Sequence, residues 1–236
     1  MSDIHVGAQH HEERRFDEAL AWCVEHDANI FLNGDLIENS IIVGKSPGEM
    51  LLDQAKYPTE QVIEFCQKLK PLARRGKIFG VTRGNHEARS RRESLLDLCE
   101  LIAAHLNVPY YGIGGYVQFK HGQNVYLGGI HHGRSGAKNI WSELDKMSAL
   151  YPAADFVACG HNHALDCRRV NSLHVDPTGT EAVKSQWQIR TGTYLGFSDY
   201  AREMVLPPSA SGSPILSFSP TRNRSVHVNV STLRWA

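Results

Sequence analysis

The sequence carries no net charge. Its 236 residues hold 25 lysines and arginines against 25 aspartates and glutamates, with a pI near 7.2. No global positive field can gather polyanions, so any nucleic-acid contact has to be local. No apolar run is long enough to cross a bilayer, and no signal peptide is recognisable. Cysteine is sparse: Cys23, Cys66, Cys99, Cys159 and Cys167 are odd in number, far apart and form no CxxC pair. That pattern argues against a disulfide scaffold or a thiolate zinc site, and for reduced, packed thiols in a cytoplasmic protein. There is no internal repeat and no low-complexity tract. A hydrophobic fraction of 42% with 21% charged residues argues against disorder. The length suits one domain spanning residues 1–236, with a β-rich extension of the sheet from about residue 165.

What is abundant is histidine, thirteen in all. About half of these fall in an ordered series of donor motifs: Asp3-x-His5, Gly34-Asp35, Gly84-Asn85-His86-Glu87, His131-His132 and Gly160-His161-Asn162-His163. Nearly every motif follows a short apolar run with strand character. Ile30-Phe31-Leu32 precedes Asp35, Lys77 to Val81 precedes Asn85, Val125-Tyr126-Leu127 leads to the His131-His132 pair, and Phe156-Val157-Ala158-Cys159 precedes His161. Between them, apolar residues at helical spacing predict helices over Glu12 to Asp27, from Pro58 onward, from about Glu93 to Leu106, and over Trp141 to Leu150. Ile41 to Tyr57 reads as a loop or irregular helix overhanging the site. From Cys167 onward the pattern turns to short β runs around Leu173, Ile189, Ile215 and Val226, separated by turn-rich stretches such as Pro207-Pro208.

Strands alternating with helices imply an α/β layered architecture. In such sheets the loops at the carboxyl ends of the strands gather in one place. Asp3, His5, Asp35, Asn85, His132, His161 and His163 can then converge, although they are far apart in sequence. Asp3 and His5, like His161 and His163, are two apart and are predicted to project to one side of an extended segment. Mixed carboxylate, amide and imidazole donors suit Mn²⁺, Fe or Zn²⁺ better than Ca²⁺ or Mg²⁺. Seven such donors suffice for two ions sharing one carboxylate. No apolar strand precedes Asp3. Either the start lies downstream of the natural one, or that strand is missing.

The order Asp-x-His, Gly-Asp, Gly-Asn-His-Glu, His, Gly-His-Asn-His resembles the calcineurin-like metallophosphoesterases over about Ser2 to Ala164. The resemblance implies an α/β fold, a four-layer β-sandwich of two mixed sheets flanked by helices, here with its first strand in question. It implies two divalent ions, with Mn²⁺ preferred and Fe, Zn²⁺ or Ni²⁺ as alternatives. Asp3, His5, Asp35 and His163 would hold one ion. Asp35, Asn85, His132 and His161 would hold the other, with Asp35 bridging. The family's His-Gly pair favours His132 over His131. His86 would be the catalytic histidine, near the leaving oxygen. The basic run Arg89-Ser90-Arg91-Arg92 adds a local phosphate-binding candidate, with Arg89 and Arg92 foremost and Arg83 nearby. Glu38 and Glu87 read as orienting or structural carboxylates.

The implied activity is hydrolysis of phosphodiester or phosphomonoester bonds, with nucleic acid or a nucleotide among the candidate substrates. The opening Ser2-Asp3-Ile4-His5 and Gly84-Asn85-His86-Glu87 resemble the DNA-repair exonuclease branch as well as small-molecule phosphodiesterases. Compact members of this type also occur in phage and prophage genomes. The stretch from Gly34 to Asn39 lacks the Asp-Arg-Gly that follows in protein phosphatases. A partner subunit could supply positive surface for a nucleic acid; no membrane partner is expected. A competing reading keeps the fold as a non-catalytic scaffold for protein interaction, whose mark would be lost donors. The remaining histidines, His10, His11, His26, His105, His121, His174 and His227, read as surface or half-buried structural residues.

Overall fold

The computed structural model describes residues 1–41, 54–134, 139–175, 178–197, 202, 210–221 and 225–230. Most of the stretch expected to overhang the site, 42–53, and the Pro207-Pro208 turn lie outside the described residues. The first two thirds alternate strand and helix. Helix α1 is Glu13–Glu25, strand β1 is Ile30–Asn33, helix α2 is Pro58–Arg74 and strand β2 is Ile78–Thr82. Two helices follow, α3 (Glu87–Ser94) and α4 (Leu98–Leu106), then β3 (Gly114–His121), β4 (Asn124–His131), α5 (Ser142–Leu150) and β5 (Phe156–Cys159). The last third gives β6 (Leu165–Val175), β7 (Glu181–Thr191), β8 (Ile215–Phe218) and β9 (Val226–Asn229).

β1 and β2 pair in parallel. A mixed five-stranded sheet runs β3-β4-β5-β7-β6, antiparallel at both margins and parallel through β4, β5 and β7. β8 and β9 form a small antiparallel pair. The layers follow from side-chain alternation. On β5, Phe156 and Ala158 join a cluster with Val117, Phe119, Tyr126 and Ile189, against which Phe31 packs from β1. The intervening Val157 and Cys159 face the other way, onto Leu144 and Met147 of α5. On the outer side of β1 and β2, Phe16, Leu20, Phe65, Leu69 and Ile102 bring α1, α2 and α4 onto the same core. The order is helices, small sheet, large sheet, helix. Burying a single Leu or Phe side chain in such layers contributes roughly 1.5–3 kcal/mol.

The structure departs from the sequence expectations in three places. The helix expected from about Glu93 to Leu106 is two helices, and the basic run lies inside the first of them rather than ahead of it. Leu95 takes a left-handed conformation (φ 61°), and Asp97 restarts the chain as N-cap of α4, accepting from Glu100 N. The β runs after Cys167 begin with two 11-residue strands. Their outer halves are exposed, with Leu173, Val175 and Val183 open to solvent, so burial marks only the ends near the core. The segment bearing Asp3 and His5 is not plainly extended, since both residues have positive φ (50° and 54°), as do His161 and His163 (71° and 60°). Each donor pair therefore sits on a twisted segment rather than on one side of a pleated strand.

Candidate metal centre

β1, β2, β4 and β5 end at one edge of the molecule, each followed within a few residues by a donor motif. After β1 and β2 the two chains pass in direct contact. A Cβ on Gly34 would lie 2.6 Å from Gly84 N, and one on Gly84 would overlap Asp35 N and Oδ1. Only glycine permits this approach. Glu87, fully buried, holds it. Its Oε1 accepts from Leu36 N (2.6 Å) and Ile37 N (3.1 Å), and its Oε2 from Asp35 N and Gly84 N (both 3.2 Å). Four backbone donors from two loops thus converge on one carboxylate.

Asp35 lies at the centre. Its Oδ1 accepts from His86 N at 2.8 Å, and its Oδ2 is 3.0 Å from His132 Nε2. His132 Nε2 is also 3.1 Å from Asn85 Oδ1, while its Nδ1 donates to Asn33 O at 2.7 Å, which fixes the ring. His131 is turned elsewhere, its Nδ1 accepting from Gly133 N. The His161 ring lies 5.7 Å from that of His132. Burial alone would raise the Asp35 pKa, but the His132 and His86 charges outweigh it and hold the carboxyl well below the usual range. Burial likewise opposes charge on His132, yet Asp35 and Asp3 raise it to about 10.

Asp3 accepts from His161 N at 2.9 Å and lies 3.5 Å from His163 Nε2. His5 packs against the His86 and His163 rings at 4.5 and 5.2 Å. Its Nδ1 pairs with Glu38 Oε2 at 2.9 Å. Its buried Nε2 has no hydrogen-bond partner. Burial lowers the His163 pKa to about 4, so this imidazole is a neutral donor at ordinary pH.

His86 opens α3. Its Nδ1 is 2.8 Å from Glu38 O, its Nε2 is 3.0 Å from Arg89 Nη2, and Asp35 Oδ2 stands 4.0 Å away. Burial would lower its pKa; Asp35 and Glu38 prevail and raise it to about 9. Burial would also raise Glu38, but His86 and His5 hold it well below the carboxylate range. Arg89 is fastened to Glu38 O at 3.0 Å, and Arg92 lies one turn further on, exposed. Arg83 is committed elsewhere, paired with Asp97 at 2.6 Å, and Arg91 lies 3.7 Å from the same carboxylate.

The donor set fits divalent metal. Three groupings bring ligand atoms within 4.8 Å of one another: Asp3, His5 and His163; His5, Asp35 and His86; and Asp35, His132 and His161. A buried imidazole nitrogen with no partner, as on His5, is what a ligand position requires. Sequence reading did not single out Asn33, Asn39 or Arg190. Asn33 braces His132, Asn39 Nδ2 donates to His86 O at 2.7 Å, and buried Arg190 donates to Gly160 O at 3.1 Å, just ahead of His161. Asn33 had a signal, adjacency to Gly34-Asp35. Arg190 had none, because only the pairing of β7 with β5 brings it there.

The calcineurin-like phosphoesterase family model matches residues 1–165. The chain belongs to the calcineurin-like phosphoesterase family. No curated protein sequence matches it. Among solved structures it is similar to YfcE, a phosphoesterase from E. coli, at 15% identity and a TM-score of 0.39, covering 82% of this chain and 77% of that one. A zinc complex of Vps29 from Entamoeba histolytica gives 15% and 0.36, covering 68% and 85%. A hypothetical protein from Pyrococcus horikoshii gives 11% and 0.47, covering 98% and 85%. At such distances these likenesses bear on no activity. Among the described residues no helix is long and apolar enough to cross a membrane.

Proposed function

We propose that this phosphoesterase hydrolyses phosphate esters, phosphodiesters foremost, at a centre holding two divalent ions that share Asp35. The observation that carries this reading is the place of Asp35 in two ligand groupings at once, one with His5 and His86 and one with His132 and His161. Asp3, His5, Asp35 and His163 would hold one ion; Asp35, Asn85, His132 and His161 would hold the other. The donors suit Mn²⁺ first, with Fe, Zn²⁺ or Ni²⁺ as alternatives. Bound there, such ions would supply Lewis-acid polarisation of the phosphoryl oxygens and lower the pKa of water.

The chain's own residues do the rest. Glu38 O accepts from Nδ1 of His86, while Nε2 stands 3.0 Å from Arg89 Nη2. Once Arg89 turns from that nitrogen to a phosphate oxygen, a protonated Nε2 can donate to the departing alkoxide, a step typically worth about 10²–10⁴ in rate. Arg89, its Nη2 beside the same nitrogen, would hold a non-bridging phosphate oxygen, with Arg92 a turn further along for a longer substrate. Nucleic acid or a nucleotide fits a site whose positive charge is local in a neutral chain.

The test is hydrolysis of bis-p-nitrophenyl phosphate and p-nitrophenyl phosphate by metal-stripped protein with Mn²⁺ added back. Metal-dependent diester cleavage is expected, falling about 10²-fold or more in His86→Ala. Arg89→Ala should raise KM with kcat little changed. No cleavage of either ester, with no metal retained, would instead favour a scaffold for protein interaction.

A further inference from the structure

β7 runs parallel to β5, so its last residue, Thr191, reaches the edge where the metal-binding donors gather. It brings no donor of the set above. It brings a hydroxyl. Thr191 Oγ1 lies 2.5 Å from Ser2 Oγ, and Ser2 Oγ donates to Asp3 Oδ2. Ser2, Asp3 and Thr191 are all buried. The chain after β7 also grips the Asp3 backbone, since Thr193 Oγ1 and Tyr194 N donate to Asp3 O at 2.8 and 2.9 Å.

Proton accounting fixes the direction of this chain. A serine hydroxyl has one proton, and an ionised carboxylate only accepts. A carboxylate that holds a metal is ionised. The Ser2 proton therefore goes to Asp3, and the Thr191 hydroxyl must donate to Ser2 Oγ. Hydrogen bonds in series polarise one another, so the first strengthens the second. The other oxygen of Asp3 is placed differently. Oδ1 is the nearer to His161 N, at 2.9 Å against 3.2 Å for Oδ2, and stands 3.5 Å from His163 Nε2. Gly160 closes the arrangement. A Cβ there would lie 2.5 Å from Asp3 Oδ2, 2.8 Å from Ser2 Oγ and 3.1 Å from Thr191 Oγ1, so any side chain at this position would displace the relay.

We infer that Ser2 and Thr191 are positioning residues for the ion that Asp3 would hold. The relay occupies Oδ2, keeps the carboxylate from rotating and leaves Oδ1 on the His163 side as the ligand atom. Ser2 acts on the ion through Asp3, and Thr191 acts only through Ser2. The inference rests on the two-ion reading of the centre.

Calorimetric titration of the metal-stripped protein with Mn²⁺ tests this, the equivalent lost in Asp3→Asn marking the ion concerned. Ser2→Ala should weaken that equivalent about 10–100-fold and leave the other unchanged. Thr191→Val keeps the side-chain shape and loses the hydroxyl. It should weaken the same equivalent roughly 2–10-fold, whereas Thr191→Ser should keep the unaltered affinity. The double variant of Ser2→Ala with Thr191→Val should bind no more weakly than Ser2→Ala alone, because Thr191 has no other route to the ion. Additive losses, or equal losses in Thr191→Val and Thr191→Ser, would overturn the relay and mark packing instead. So would a Ser2→Ala protein that binds both equivalents as tightly as the unaltered one. An unaltered protein that takes up no Mn²⁺ would overturn the two-ion reading itself, and the relay with it. Should Ser2→Ala fail to fold, the contrast between Thr191→Val and Thr191→Ser decides alone.

Discussion

Asp35, Asn85, His132 and His161 follow the carboxyl ends of four regular strands; Asp3 and His5 follow none. The strand-borne group is positioned by ladders that continue into the core and by the four-donor clamp of Glu87. The other is held by separate hydrogen bonds to residues 33–36 and 194, and by Glu38 on His5. Both bring donors to comparable spacing. The run along residues 1–6 is irregular, Ile4 N and His5 N both donating to Asp35 O, and its bonds contribute about 0.5–1.5 kcal/mol each. The half containing Asp3 and His5 should therefore be the weaker.

The largest effect should come from the residue the halves share. Asp35→Asn should remove both ions and lower diester hydrolysis about a thousandfold, the equivalent of several kcal/mol of lost charge stabilisation. Asp3→Asn should remove one ion and leave the His132 half loaded, as metal counting after dialysis would show. In the unaltered protein a chelator should empty the Asp3 half first; release in the opposite order would break the comparison.

Next comes Glu87→Ala, which strands four buried N–H groups. It should cost about 3–5 kcal/mol. Thermal unfolding should then fall by roughly 10 °C or more. A change of only a degree or two would mean that the glycine contact, not the carboxylate, holds the loops.

Smaller still is Glu38→Gln. Loss of the negative partner of His5 Nδ1 should weaken one ion about 10–100-fold. The same change acts on His86, whose pKa Glu38 helps raise to about 9. His86 is an acid only while protonated, so activity is present below its pKa and lost above it. Removing the carboxylate charge lowers that pKa, and the alkaline limb of the kcat profile should move toward lower pH.

The strand-borne half was legible in the sequence because each donor follows a short apolar run bounded by turn residues, and these runs are strands β1, β2, β4 and β5. Gly34 and Gly84 marked sharp exits, and their mutual contact gives those glycines a shared reason. The other half was legible only as a motif. Spacing by two suggested an extended segment, but the left-handed conformations of Asp3 and His5 arise from lacing to residues 33–36 and 194, which no local pattern announces. The break at Leu95 was hidden for a similar reason. Asp97 is chosen by Arg83 and Tyr110 across space as well as by its cap, and helical periodicity ran on through it. Arg83 thus looked like a phosphate ligand in the sequence and proves to be a brace in the fold.

Whether two ions share Asp35 is read by low-temperature electron paramagnetic resonance of the Mn²⁺-loaded protein. Two equivalents should bind, with an exchange-coupled spectrum that disappears in Asp35→Asn. A single uncoupled Mn²⁺ signal at saturation would contradict the sharing.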